Sequence, residues 1–152
     1  MSTTKLSNME KKTVVRCDAS VNPNKGVGLG YEATIYNGDG SYEKVTDSKF
    51  IDDKTIKTTD AETVAAAFAV KEVYEHLGKE RGDYSLKLKS DCEHTVHDVR
   101  SSVETQDAKQ RVLQFFANGF EDVTVQWISR SANEKVDALA TSAMEQGYEE
   151  NQ

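Results

Sequence analysis

Proline occurs once in the 152 residues, at Pro23, and cysteine twice, at Cys17 and Cys92. Two thiols so far apart cannot supply a disulfide framework or a CxxC zinc motif, so each reads as a small core residue, with a single bridge between them left open. No run of eighteen apolar residues occurs, and the segment from Met1 to Glu10 lacks the apolar centre of a signal peptide. The expectation is therefore no membrane segment and, by default, a cytoplasmic location. Cations are scarce as well: 19 Lys and Arg face 26 Asp and Glu, for a formal charge of −7. This excludes a grip on nucleic acid by bulk positive charge, because phosphate affinity comes from basic side chains that displace counterions. It leaves room for an enzyme whose carboxylates hold cations, with the cations meeting the phosphate.

The content that is present, 37% hydrophobic and 30% charged, fits one α/β-sized domain with its own core. Residues 1–12 are polar and aperiodic and read as a flexible tail, 13–146 as the domain, and 147–152 as an acidic, frayed C-terminal tail. A monomer is expected. Strands are predicted over about 13–20, over the alternating stretch Leu29–Tyr36, and over about 42–51, with Asn37-Gly-Asp-Gly40 supplying a hairpin signal between the last two. An alanine-rich helix follows over 61–77 and stops at Gly78. A short strand ends at Asp91, a helix is expected over about 92–103, and another over 107–118, with Val112, Leu113, Phe115 and Phe116 as its apolar face. Then come a strand over 122–128, a loop, and a last helix from Glu134 to about Gln146.

The first strand carries an acid in an unusual place. On a period of two, Val15, Cys17 and Ala19 share one face and Val14, Arg16, Asp18 and Ser20 the other. In a central strand Asp18 would need a partner or a metal, because a desolvated, unpaired carboxylate is costly; in an edge strand it would simply face water. Three more acids stand at element boundaries or early in helices. Thr59-Asp-Ala-Glu62 matches a capping box, in which Glu62 would bond back to its own helix start. Asp91 is placed to cap the helix after it. Asp137 sits beside the apolar stripe of Val136, Leu139, Ala140 and Ala143 and reads by itself as a marginal charge.

Taken together, and in this order of strands and helices, these pieces resemble type 1 ribonuclease H. The matching segments are Asp18-Ala-Ser-Val-Asn-Pro with the glycines 26, 28 and 30, Thr59-Asp-Ala-Glu62-Thr-Val-Ala-Ala-Ala, Leu88-Lys-Ser-Asp91, and Arg130-Ser-Ala-Asn133-Glu-Lys-Val-Asp137-Ala-Leu-Ala. The resemblance implies a ribonuclease H-like α/β fold: a five-stranded mixed sheet, three antiparallel strands and then parallel additions, flanked by helices. It implies that Asp18, Glu62, Asp91 and Asp137 are the catalytic, metal-holding acids, because Mg²⁺ or Mn²⁺ want oxygen ligands. Two such ions, about 4 Å apart, would serve the attacking water and the leaving 3′ oxygen. By the same resemblance Asp18 lies between the ions, Glu62 and Asp91 on the water side, and Asp137 on the leaving side. The implied partner is an RNA–DNA hybrid, its RNA strand cut to 5′-phosphate and 3′-hydroxyl ends. Ser20 and Asn22 would read 2′-hydroxyls, the glycines would let the main chain approach the strand, and Arg130 and Asn133 would contact substrate. A non-catalytic binding module or a junction resolvase of the same fold are the alternatives.

The chain departs from the family pattern in two ways. The loop over 129–132 lacks the histidine that many members carry, and Arg130 stands in that region as a phosphate or product contact. Asp91 and Asp137 are 46 positions apart, too close for the extra basic helix some members use, and no separate hybrid-binding domain is expected. Weak, salt-sensitive substrate binding follows. Cys92, His94 and His97 raise zinc, but no fourth ligand is evident and a solvated helix face explains them. Lys87, Lys89 and Lys135 read as surface lysines or a small basic stripe.

Overall fold

The period-two pattern around Asp18 becomes the middle of the sheet. A computed structural model describes residues 10–93, 95, 96 and 108–152. Strands β1 (Lys11–Asn22), β2 (Gly26–Asn37) and β3 (Tyr42–Ile51) form an antiparallel meander. Helix α1 (Thr58–Leu77) and a 3₁₀ turn (Gly78–Asp83) lead to β4 (Ser85–Ser90), which joins β1 in parallel. Helix α2 (Ala108–Ala117), β5 (Asp122–Trp127), a second 3₁₀ turn (Ser131–Asn133) and α3 (Glu134–Glu150) complete the described chain. The strand order is β3-β2-β1-β4-β5, with β5 parallel to β4, so β1 is central and Asp18 is not on an edge. This is the expected five-stranded mixed sheet of the ribonuclease H-like fold.

One face of the sheet is dry. Val15, Cys17, Tyr31, Ala33, Ile35, Leu86, Leu88 and Val125 meet Ala66, Ala69, Val70 and Val73 of α1, with Leu113 and Ala117 of α2 behind. Alanines over two turns of α1 let its backbone lie close to β1, which fixes Glu62 at the strand's C-terminal end. The other face is crossed by α3. A Cβ on Gly28 would lie 1.8 Å from the Ala140 carbonyl oxygen, so glycine there is what admits the helix. Gly30 faces the same helix, with a Cβ there lying 2.9 Å from the Ala140 amide nitrogen. β2 buries even Glu32 and Thr34, although its sequence alternation read as half-exposed and α3 crosses the sheet beyond them, over Gly28 and Gly30.

Several boundaries differ from expectation. β1 and β2 are longer than predicted because their pairing runs unbroken from Lys11–Asn37 to Asn22–Gly26. Helix α3 continues to Glu150, past the expected end at Gln146, because Gly147 packs beneath Phe50; what read as a frayed tail is largely helix. Of the apolar face expected on α2, only Leu113 is fully buried, while Val112 and Phe115 are exposed. Cys17 and Cys92 are both free, which closes the bridge left open. Glu93, Thr95 and Val96 are helical; the rest of the helix predicted over 92–103, with His94 and His97, lies outside the described residues.

Candidate active site

Two strands and two helices deliver acids to the same end of the sheet. Asp18 lies on β1, opposite Gly30 of β2; Asp91 follows the last residue of β4; Glu62 projects from the first turns of α1; Asp137 lies in the first turn of α3. All four line one cleft of about 650 Å³ together with Ser20, Arg130 and Glu93. Carboxylate oxygens of Asp18, Glu62 and Asp91 lie within 4.8 Å of one another. Asp137 lies close enough to help raise the carboxyls of both Asp18 and Asp91.

Glu62 does not cap its helix. No side chain caps α1, and Glu62 Oε1 instead accepts the Ala19 amide at 2.8 Å, beside Asp18 Oδ1, which accepts the same amide at 2.9 Å. One backbone N–H thus fixes two carboxylates against each other. Both side chains are buried, Asp18 at 5% exposure and Glu62 at 6%. Burial, then the charge of Glu62, pushes the Asp18 carboxyl up to about 9. Glu62 rises to about 7, mainly by burial and partly through Asp91, against hydrogen bonds from Asp18 and the Ala19 amide. The pair therefore holds a proton at neutral pH. Asp91 is raised by burial, with Arg130 and Asn133 pulling the other way and Asp137 adding to the rise. The same acids and its own burial keep the Cys17 thiol protonated, so it is not a nucleophile.

Against the carboxylates lining this cleft, the described residues set one cation, Arg130, which is exposed at its rim. The donors are all hard carboxylate oxygens, and their mutual repulsion lacks an internal counter-charge. That set fits a hard divalent cation such as Mg²⁺ or Mn²⁺ and fits zinc poorly, since zinc favours nitrogen and sulfur.

The other expected site residues fall in different places. The Ser20 hydroxyl accepts a hydrogen bond from Thr141 of α3 at 3.2 Å and lines the cleft. The Asn22 side chain caps its own turn, accepting the Asn24 amide at 2.8 Å at the end of β1. Asn133, expected at the substrate, is 1% exposed; its Nδ2 donates to the Cys17 carbonyl at 3.0 Å. Its role is to tie the loop before α3 to β1 and so to place Asp137. Glu93 was not singled out by the sequence. Its signal was only its place two residues after Asp91.

A family model described as reverse transcriptase-like matches residues 16–143. No curated protein matches the chain in sequence. Among solved structures, the chain is similar to ribonuclease H1 of the halophilic archaeon Halobacterium salinarum, with 19% identity, 89% of this chain and 98% of that one covered, and a TM-score of 0.66. It is also similar to the N-terminal RNase H domain of rv2228c from Mycobacterium tuberculosis, with 18% identity, 94% and 100% covered, and a TM-score of 0.70. A third neighbour is LC11-RNase H1, solved in complex with RNA/DNA hybrid, with 16% identity, 90% and 99% covered, and a TM-score of 0.69.

Proposed function

The chain belongs to the reverse transcriptase-like family, of ribonuclease H type, and on that premise we propose that it is a metal-dependent endonuclease that hydrolyses the RNA strand of RNA–DNA hybrids. The observation that carries this reading is the cluster of Asp18, Glu62 and Asp91, three buried or half-buried carboxylates with oxygens within 4.8 Å and no internal cation. Asp18, Glu62, Asp91 and Asp137 would hold two Mg²⁺ or Mn²⁺ ions. When bound, the two ions supply charge on both sides of the scissile phosphate, activating water on one and stabilising the leaving 3′ oxygen on the other, to give 5′-phosphate and 3′-hydroxyl ends.

The protein's own groups do the rest. Asp18 would hold both cations in common, Glu62 and Asp91 would serve the attacking water, and Asp137 the leaving oxygen. The proton shared by Asp18 and Glu62 must leave before both can ligate, so cation affinity rises with pH. The Ala19 amide holds both oxygens in place meanwhile. Arg130, on the rim, meets a phosphate oxygen, and Ser20 and Asn22 face the RNA strand, where a 2′-hydroxyl distinguishes it from DNA. The protein acts as a monomer. No helix among the described residues is long and apolar enough to cross a membrane.

A cleavage assay with labelled RNA–DNA hybrid, duplex RNA and four-way DNA, each with Mg²⁺ or Mn²⁺, tests the reading. Cutting confined to the RNA strand of the hybrid, and dependent on the cation, is expected. Cutting of the four-way DNA instead would make it a resolvase, and metal-independent binding without cutting would make it a binding module.

A further inference from the structure

The two faces of the sheet are covered unequally. Helices α1 and α2 fill one, whereas α3 crosses only the half of the other that holds Gly28, Gly30 and Phe50. On the remaining half, strand pairing aligns side chains in rows across the sheet. One row holds Tyr42, Tyr36 and Lys12; the next holds Lys44 and Lys87; the third holds Arg16 and Lys89, with Lys135 of α3 above it. Six cations thus share a face with two carboxylates, Glu32 and Asp122, in a protein whose formal charge is −7.

Glu32 is already taken by Lys135 and Arg16, so the remaining cations have little to neutralise them. The Arg16 Nε, in the same row as Lys89, is buried without a hydrogen-bond partner among the described residues. At the far end of the face, Tyr36 and Tyr42 are 37% and 60% exposed, their ring centroids 5.9 Å apart, with the Lys12 ammonium 5.0 Å from the centre of the Tyr36 ring.

We infer that this open half-face binds single-stranded nucleic acid, its phosphates along Arg16, Lys44, Lys87 and Lys89 and its bases against Tyr36 and Tyr42. Cations concentrated on an otherwise acidic protein select a polyanion. Exposed rings beside them select one with free aromatic faces, which a single strand offers and a duplex or an acidic peptide does not. Lys12 and Tyr36 lie six residues from Asp18 along the strand direction, about 20 Å away, whereas Arg16 and Lys89 lie two residues before Asp18 and Asp91, so the face adjoins the carboxylate cleft at one end and runs away from it to the tyrosines at the other. It stands whether or not that cleft is catalytic.

The test is fluorescence anisotropy of labelled oligo-dT and oligo-U of about 12 nucleotides, titrated with the whole chain in a metal chelator at several salt concentrations. The wild type is expected to bind, more weakly as salt rises. Lys44→Gln with Lys87→Gln should lower the salt slope by about 1.4, and Tyr42→Ala should weaken binding about tenfold without lowering that slope. All three substitutions are at exposed positions, so melting temperature and hybrid cleavage should stay at wild-type values. Absence of single-strand binding would overturn the inference, as would variants that bind like the wild type. Displacement of the oligonucleotide by polyglutamate as readily as by unlabelled oligonucleotide would show an acidic-peptide surface instead. Cleavage lost in step with binding would show that the face serves only the cleft's own substrate and overturn the inference.

Discussion

Asp18 and Glu32 lie on neighbouring strands, each 5% exposed, and they meet burial in opposite ways. Glu32 accepts a hydrogen bond from Lys135 and lies 3.9 Å from Arg16, so its carboxyl is held below its ordinary range, the lysine contact being the main cause. Asp18 is buried beside the acids Glu62, Asp91 and Asp137, and its carboxyl is driven up, first by burial and then by the charge of Glu62. Arg16 is two residues from Asp18 on the same face of β1, yet the register sets it opposite Glu32. A buried acid that serves the fold is supplied with a counter-charge from within the chain. At Asp18 the counter-charge has to come from outside.

The sharpest way to break that contrast is Asp18→Asn. The amide keeps the shape and removes the charge, so hybrid cleavage in Mg²⁺ or Mn²⁺ should be abolished. Without metal, the melting temperature should be unchanged or higher, because a repelling charge has gone. A large fall in metal-free stability would mean that Asp18 belongs with Glu32 as a structural acid.

Next in size is the pH dependence of metal-free stability. Asp18 and Glu62 have native carboxyls raised above their unfolded range, so the folded state binds the extra proton. Their contribution is intact below the ordinary carboxylate range near pH 4 and is lost progressively as pH rises toward about 9. Glu32 has the reverse sign: its contribution is present above that range and disappears as pH falls through it. Thermal melts across this span, in chelator, should decline on the alkaline side, and Asp18→Asn should flatten that decline. Mg²⁺ should do the same, since the cation replaces the proton. A decline untouched by either would leave the Asp18–Glu62 proton without consequence for the fold.

The period-two pattern of β1, the alanine-rich α1 and the order of the elements were legible in the sequence because each rests on local periodicity. The likeness to ribonuclease H added what periodicity cannot, namely that four separate acids meet. Distant partners were not legible. Glu62 matched a local capping signature, yet its bond is to Ala19, 43 positions away. Asn133 sat among loop residues and turned out to be buried against Cys17, 116 positions away. Glu32 occupied the polar phase of an alternating strand, and nothing nearby announced Lys135, 103 positions on. In each case a short-range reading lost to a contact that exists only once α1 or α3 has packed on the sheet.

The smallest effects separate the two cations around Glu32. Glu32→Gln should cost about 1–2 kcal/mol at neutral pH, because the buried negative charge is lost and Lys135 and Arg16 are left with no counter-charge. Lys135→Met should cost less, under about 1 kcal/mol, since the Lys135 side chain is 67% exposed, its attraction is screened by water, and Arg16 remains on Glu32. Urea unfolding of both variants and the double variant measures the coupling directly. If Lys135→Met costs as much as Glu32→Gln, Arg16 contributes nothing to neutralising the acid. Its guanidinium would then be wholly free for an external anion, which strengthens the case for the open face of the sheet and narrows the structural pair to Glu32 and Lys135 alone.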